Sequence, residues 1–81
     1  MMNFTVTSRA KKALQRMDKV TRRRIVCAIK KIPEGDIAPL KGAPGSYRLR
    51  VGDWRVLYSQ PDDVTIQIDK IAPRGSIYKG V

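Results

Sequence analysis

The chemistry this sequence can offer is carried by arginine. From Tyr47 to Tyr58 the chain reads Y-R-L-R-V-G-D-W-R-V-L-Y, two alternating runs around Gly52-Asp53. A two-residue hairpin on that dipeptide sorts the side chains by face. Tyr47, Leu49, Val51, Trp54, Val56 and Tyr58 go to one side, and Arg48, Arg50, Arg55, Leu57 and Ser59 to the other. The turn pairs Val51 with Trp54 and sets Arg50 opposite Arg55. Like charges opposed across two strands are destabilising, so a polyanion on that face would relieve the pair. Arginine does not release its proton usefully and is a poor general base. It binds phosphate with two parallel hydrogen bonds and stabilises charge developing on phosphorus. Arginines beside aromatic rings suit single-stranded RNA, whose unstacked bases lie on rings and guanidinium planes. Tyr78, just past Arg74, is a candidate stacking residue, while Trp54 and Tyr47 read as core.

Composition narrows the chemistry further. The chain has 81 residues, 17 Lys and Arg against 7 Asp and Glu, and a formal charge of +10. That is one domain, and the excess charge favours a polyanionic partner. Histidine is absent and Cys27 is the lone cysteine, which argues against Ser-His-Asp or Cys-His chemistry, a zinc site or an internal disulfide. No metal or small-molecule cofactor is expected, and there is no phosphate-binding loop of the G-x-x-x-x-G-K-[ST] type. No apolar run is long enough for a membrane span, and the N-terminus lacks a secretion signal, so a cytoplasmic setting with no membrane partner is expected.

The elements that must position the arginines follow from periodicity. Phe4 to Val6 reads as a first strand. Ser8 can cap a helix whose apolar stripe is Ala10, Ala13, Leu14 and Met17. After a break near Asp18-Lys19, Thr21 is a candidate cap for a second helix, with Val20 and Ile25 as a hydrophobic staple. Its buried stripe is Ile25, Ile29 and Ile32, and Cys27 reads as a small core residue. Arg22, Arg23 and Arg24 would occupy its first turn, where the helix dipole disfavours cations. They are either a solvated helix end, an extension of the phosphate-facing surface or a dock for an acidic partner. Glu34 to Ser46 reads as a loop, and Val64, Ile66 and Ile68 as one face of a last strand ending at Pro73-Arg74-Gly75. The expected fold is α+β, an antiparallel sheet in the order β-α-α-β-β-β. Both N-terminal helices pack on its apolar face, and the arginine face is left open.

These residues carry a resemblance. The hairpin Tyr47–Tyr58, the preceding loop Leu40-Lys41-Gly42-Ala43-Pro44-Gly45 and the tail Pro73-Arg74-Gly75-Ser76-Ile77-Tyr78 resemble the matching segments of RelE/ParE-superfamily toxins, and so does the element order. The resemblance implies a single RelE-like domain over residues 1–81 and a toxin of a type II toxin–antitoxin pair. It implies a ribosome-dependent endoribonuclease acting on mRNA by attack of a ribose 2′-hydroxyl on the adjacent phosphate. Arg48, Arg50, Arg55, Arg74 and Tyr78 then take the catalytic positions, with Lys41, Arg22, Arg23 and Lys79 as further RNA-binding candidates. The implied partners are a cognate antitoxin with an acidic segment, the ribosome and mRNA. Pro73 stands where many relatives have histidine, and Arg50 where the best-known form has lysine. Proton transfer could instead rest on the ribosome and electrostatics, or draw on Asp53 or Asp69. Two other readings stay open, a ParE-like inhibitor of DNA gyrase and a basic module that binds RNA or an acidic protein without catalysis.

Overall fold

In the computed structural model, which describes residues 2–77, seven elements follow one another. They are β1 (Asn3–Val6), α1 (Ser8–Arg16), α2 (Lys19–Lys30), β2 (Asp36–Pro39), β3 (Ser46–Val51), β4 (Trp54–Asp62) and β5 (Thr65–Pro73). One sheet runs in the order β1-β5-β4-β3-β2. β1 lies parallel to β5 and the other neighbours are antiparallel, so the sheet is mixed. The strand β2 falls inside the stretch expected to be a loop. Its four residues, ended by Pro39, are too few for alternation to stand out, and pairing with β3 is what holds them.

The β3–β4 hairpin has the expected register, Val51 opposite Trp54 and Arg50 opposite Arg55. Gly52 supplies the positive φ, 59°, that the first central turn position needs, and Asp53 stays at negative φ, the pattern of a type II′ turn.

The helices cover one face of the sheet. Ala10, Met17, Ile25, Ile29 and Ile32 meet Leu49, Val56, Tyr58, Ile66, Ile68 and Ile71 in a single core. Both expected helix stripes are therefore the buried ones. Cys27 is exposed, contrary to expectation. It lies two positions from Ile25 and from Ile29, and such spacing does not share a helix face. Tyr47 and Tyr58, opposed on the core side of the hairpin, stack with centroids 5.3 Å apart.

Helix starts also differ from expectation, by one residue and by three. Thr7 caps α1, its Oγ1 accepting from Ala10 N at 3.3 Å, so Ser8 is already helical. Asp18 caps α2, accepting from Thr21 N at 3.0 Å and from the Thr21 hydroxyl at 2.6 Å. The Thr21 hydroxyl, then its backbone N–H, hold the Asp18 carboxyl below its usual range. Val20 is left 70% exposed, so it staples nothing. With α2 beginning at Lys19, Arg23 and Arg24 lie past the first turn, where the dipole penalty fades.

One irregularity decides which residues reach the second face of the sheet. Between Leu57 and Tyr58 the β4–β5 register shifts, so Leu57 pairs with Lys70 and Tyr58 with Ile68, leaving Asp69 as the extra residue of a bulge. The Asp69 carbonyl accepts from Thr7 Oγ1 at 2.8 Å and from Arg9 Nε at 2.9 Å, which pins the bulge to the start of α1. Past it the alternation inverts. Ile71 turns to the core, and Lys70 and Ala72 go to the arginine side.

A candidate nucleic-acid interface on the sheet

Register places the side chains of the face away from the helices in rows across the strands. One row is Asp36, Arg50, Arg55 and Ala72, and the next is Ala38, Arg48, Leu57 and Lys70. Beyond them lie Ser46, Ser59, Gln67 and Thr5. Arg48, Arg50 and Arg55 thus stand together, as the hairpin pattern implies, and Lys70 joins them from β5. Lys70 was not legible in the sequence, because unbroken alternation from Ile66 and Ile68 would send it to the core.

The opposed arginines are eased by local partners. Arg50 turns to β2, where its Nε and Nη2 both bond Asp36 Oδ2. Arg48 Nη2 lies 4.0 Å from the other carboxylate oxygen of Asp36. Arg55 folds back on the turn, its Nη1 donating to the carbonyls of Gly52 and Trp54, each at 2.9 Å. The face is not bare throughout. Leu57 is 5% exposed, and the register sets it between Arg48 and Lys70, whose aliphatic stems can cover it. Ile77 in the tail is fully buried, and like Leu57 it lies outside the main core.

Arg74 is carried to the same end of the sheet by its backbone. Trp54 pairs with Pro73, and Arg74 N donates to Asp53 O at 2.8 Å, tying the tail turn to the hairpin turn. Tyr78 and Lys79 lie outside the described residues. Lys41 is exposed on the β2–β3 connection, at the opposite end of β3 from Gly52.

The helix arginines divide three ways. Arg22 is committed to α1, with Nε donating to Leu14 O at 2.7 Å and Nη2 to Met17 O at 3.0 Å and Gln15 O at 3.3 Å. These are the carbonyls a helix C-terminus leaves without partners. Arg23 is exposed on the helix layer, which covers the other side of the sheet. Neither is brought into the sheet-face cluster. Arg24 reaches the hairpin turn, its Nη2 3.3 Å from where a Cβ on Gly52 would sit. Asp53 and Asp69, the two acids considered for proton transfer, stand in the turn and the bulge. The Asp69 carboxylate accepts from Gln67 Nε2 at 2.8 Å. Among the described residues no group of three His, Cys, Asp or Glu could hold a metal, and no helix is long and apolar enough to cross a membrane.

Two helices on one face of a small mixed sheet, with basic residues on the other, define a RelE/ParE-type α+β toxin domain. The family model for the ParE toxin of type II toxin–antitoxin systems matches residues 4–78, and the chain belongs to that family. No curated protein matches it. Among solved structures it is similar to a chain of the archaeal RelE–RelB complex from Pyrococcus horikoshii, at 32% identity and TM-score 0.73 over 93% of this chain and 97% of that one. It is also similar to a chain of the RelB–RelE antitoxin–toxin complex from Methanococcus jannaschii, at 26% identity and TM-score 0.75 over 91% and 94%. The isolated Escherichia coli RelE toxin shares the fold, at 15% identity and TM-score 0.69 over 90% and 84%.

Proposed function

We propose that this type II toxin acts on mRNA at the ribosome as an endoribonuclease. The observation that carries this reading is the placement of Arg48, Arg50, Arg55 and Lys70 on two adjacent rows of one sheet face. Three forked guanidinium groups and one ammonium fit the non-bridging oxygens of a phosphodiester better than they fit a protein surface. In the proposed reaction the ribose 2′-hydroxyl gives up its proton to solvent as its oxygen bonds to phosphorus, and the bond from phosphorus to the 5′-oxygen breaks. A cyclic phosphate and a free 5′-hydroxyl result. Arg48, Arg50 and Arg55 hold the phosphate and stabilise the charge that grows on its oxygens. Lys70, unlike the arginines, has a group suited to moving a proton, and we assign it the donation to the leaving 5′-oxygen. Arg74 extends the cationic surface beyond the hairpin turn, and Tyr78 stacks on a base next to the scissile bond.

The similar archaeal structures are complexes of RelE with RelB. By the same reasoning this chain has a cognate antitoxin with an acidic segment that neutralises the arginines and covers apolar grooves. One such groove, about 190 Å³ and lined by Phe4, Val6, Leu14, Val26, Ile29, Lys30 and Ile68, opens beside the edge strand β1.

A second reading, inhibition of DNA gyrase, is favoured by the match to the ParE family model. A cell-free translation reaction and a gyrase supercoiling assay, run with the same purified toxin, separate the two. The ribonuclease reading expects cleaved mRNA and unaffected supercoiling. Loss of supercoiling with intact mRNA would establish the other.

A further inference from the structure

Asp36 lies across β2–β3 from Arg50, which binds its carboxylate through both Nε and Nη2, while Arg48 approaches the second oxygen at 4.0 Å. Its side chain is 44% exposed and that of Arg50 is 53% exposed, so the pair faces solvent on the proposed phosphate surface. Asp36 is the one acidic residue paired into the three rows across this face, among the described residues, while the Asp69 carboxylate is held from the bulge by Gln67 Nε2 of the third row. The fork of arginine accepts a carboxylate and a phosphate in the same geometry.

We propose that Asp36 is an internal competitor that occupies the phosphate-binding fork of Arg50 in the free toxin and is displaced by RNA. This inference rests on the reading of the sheet face as a nucleic-acid interface. An exposed ion pair is weak enough to be exchanged. The exchange sets a condition on the ligand. A lone phosphate gains Arg50 only by losing Asp36, and so gains little. An extended strand that also engages Arg48, Arg55 and Lys70 wins the exchange through several contacts at once. Asp36 therefore raises the threshold for every anion by the same factor, and a ligand that makes several contacts clears it where free phosphate does not. In the unbound toxin it also relieves the repulsion between Arg50 and Arg55.

The test is the dissociation constant for a short single-stranded RNA carrying 2′-O-methyl groups, which cannot be cleaved, and for inorganic phosphate. Wild type, Asp36→Asn and Asp36→Glu are compared, with thermal melts to verify folding. Asp36→Asn should bind both ligands about two- to fivefold more tightly at low salt. The gain should shrink as salt rises. Asp36→Glu should stay near wild type. In an Arg50→Ala background the substitution Asp36→Asn should lose its effect, which a general change in net charge would not do. Equal or weaker RNA binding by Asp36→Asn overturns the inference. If the wild type binds no RNA, the reading of the face as an RNA interface falls and the inference with it.

Discussion

Replacing Arg22 with alanine should cost this fold about 2 kcal/mol, and the same change at Arg23 should cost almost nothing. The three consecutive arginines are alike in sequence, yet the structure uses them differently. Arg22 donates to three carbonyls at the end of α1, two of them at 2.7 and 3.0 Å from part-buried positions. A hydrogen bond to a charged group is worth roughly 1.5–3 kcal/mol where it is shielded, and partial exposure reduces that. The third bond, exposed at 3.3 Å, adds little. About 2 kcal/mol in a domain of this size lowers the melting temperature by roughly 8–16 °C. Arg23 is exposed and makes no hydrogen bond or ion pair among the described residues, so Arg23→Ala should melt within a few degrees of wild type. Circular dichroism melts of the two variants at equal concentration decide the point. Equal melting temperatures would refute the role of Arg22 in holding the carbonyls at the C-terminal end of α1.

Gly52→Ala should destabilise the fold by about 1–2 kcal/mol through its left-handed backbone. Relief of the Arg24 contact in the double variant with Arg24→Ala should recover little of this, as read from urea midpoints. Asp18 caps α2 as a carboxylate held below its usual range, so its stabilisation is complete above the unfolded value and is lost as pH falls below about 4. The stability difference between wild type and Asp18→Asn should accordingly narrow in urea titrations taken at acid pH, and Asp62, lowered by its bond from Val64 N, adds acid sensitivity in the same direction. Lys70→Arg should keep RNA affinity while slowing cleavage at saturating RNA. Unchanged cleavage by that variant would remove Lys70 from the proton-transfer step.

The hairpin was legible to the residue. Its alternation is unbroken from Tyr47 to Tyr58, and Gly52-Asp53 admits one turn, so the opposition of Arg50 and Arg55 follows from the sequence. The helix stripes were legible for the same reason, since isoleucines at 25, 29 and 32 leave one solution. Lys70 was hidden because a bulge at Asp69 reverses the alternation, and the hydrogen bonds that hold the bulge come from Thr7 and Arg9, 62 and 60 residues away. Asp36 was hidden because β2 exists only through its partner strand. The caps differ because Ser8 and Thr21 are good capping types within three residues of better-placed ones. Thr7 has its hydroxyl shared with the bulge, and Asp18 has the carboxylate that Thr21 itself serves. For Lys70 and Asp36 the missing information was a contact between distant parts of the chain, whereas the cap of α2 turns on a bond between residues three apart.

The central claim is that the cationic sheet face cuts mRNA. Mapping of 5′ ends in cellular mRNA after brief induction, in wild type and in Arg55→Ala, tests it most directly. The account predicts new ends in step with codons, carrying 5′-hydroxyls, in the wild type, and none in a folded Arg55→Ala. Growth arrest by the wild type with no new mRNA ends would contradict it.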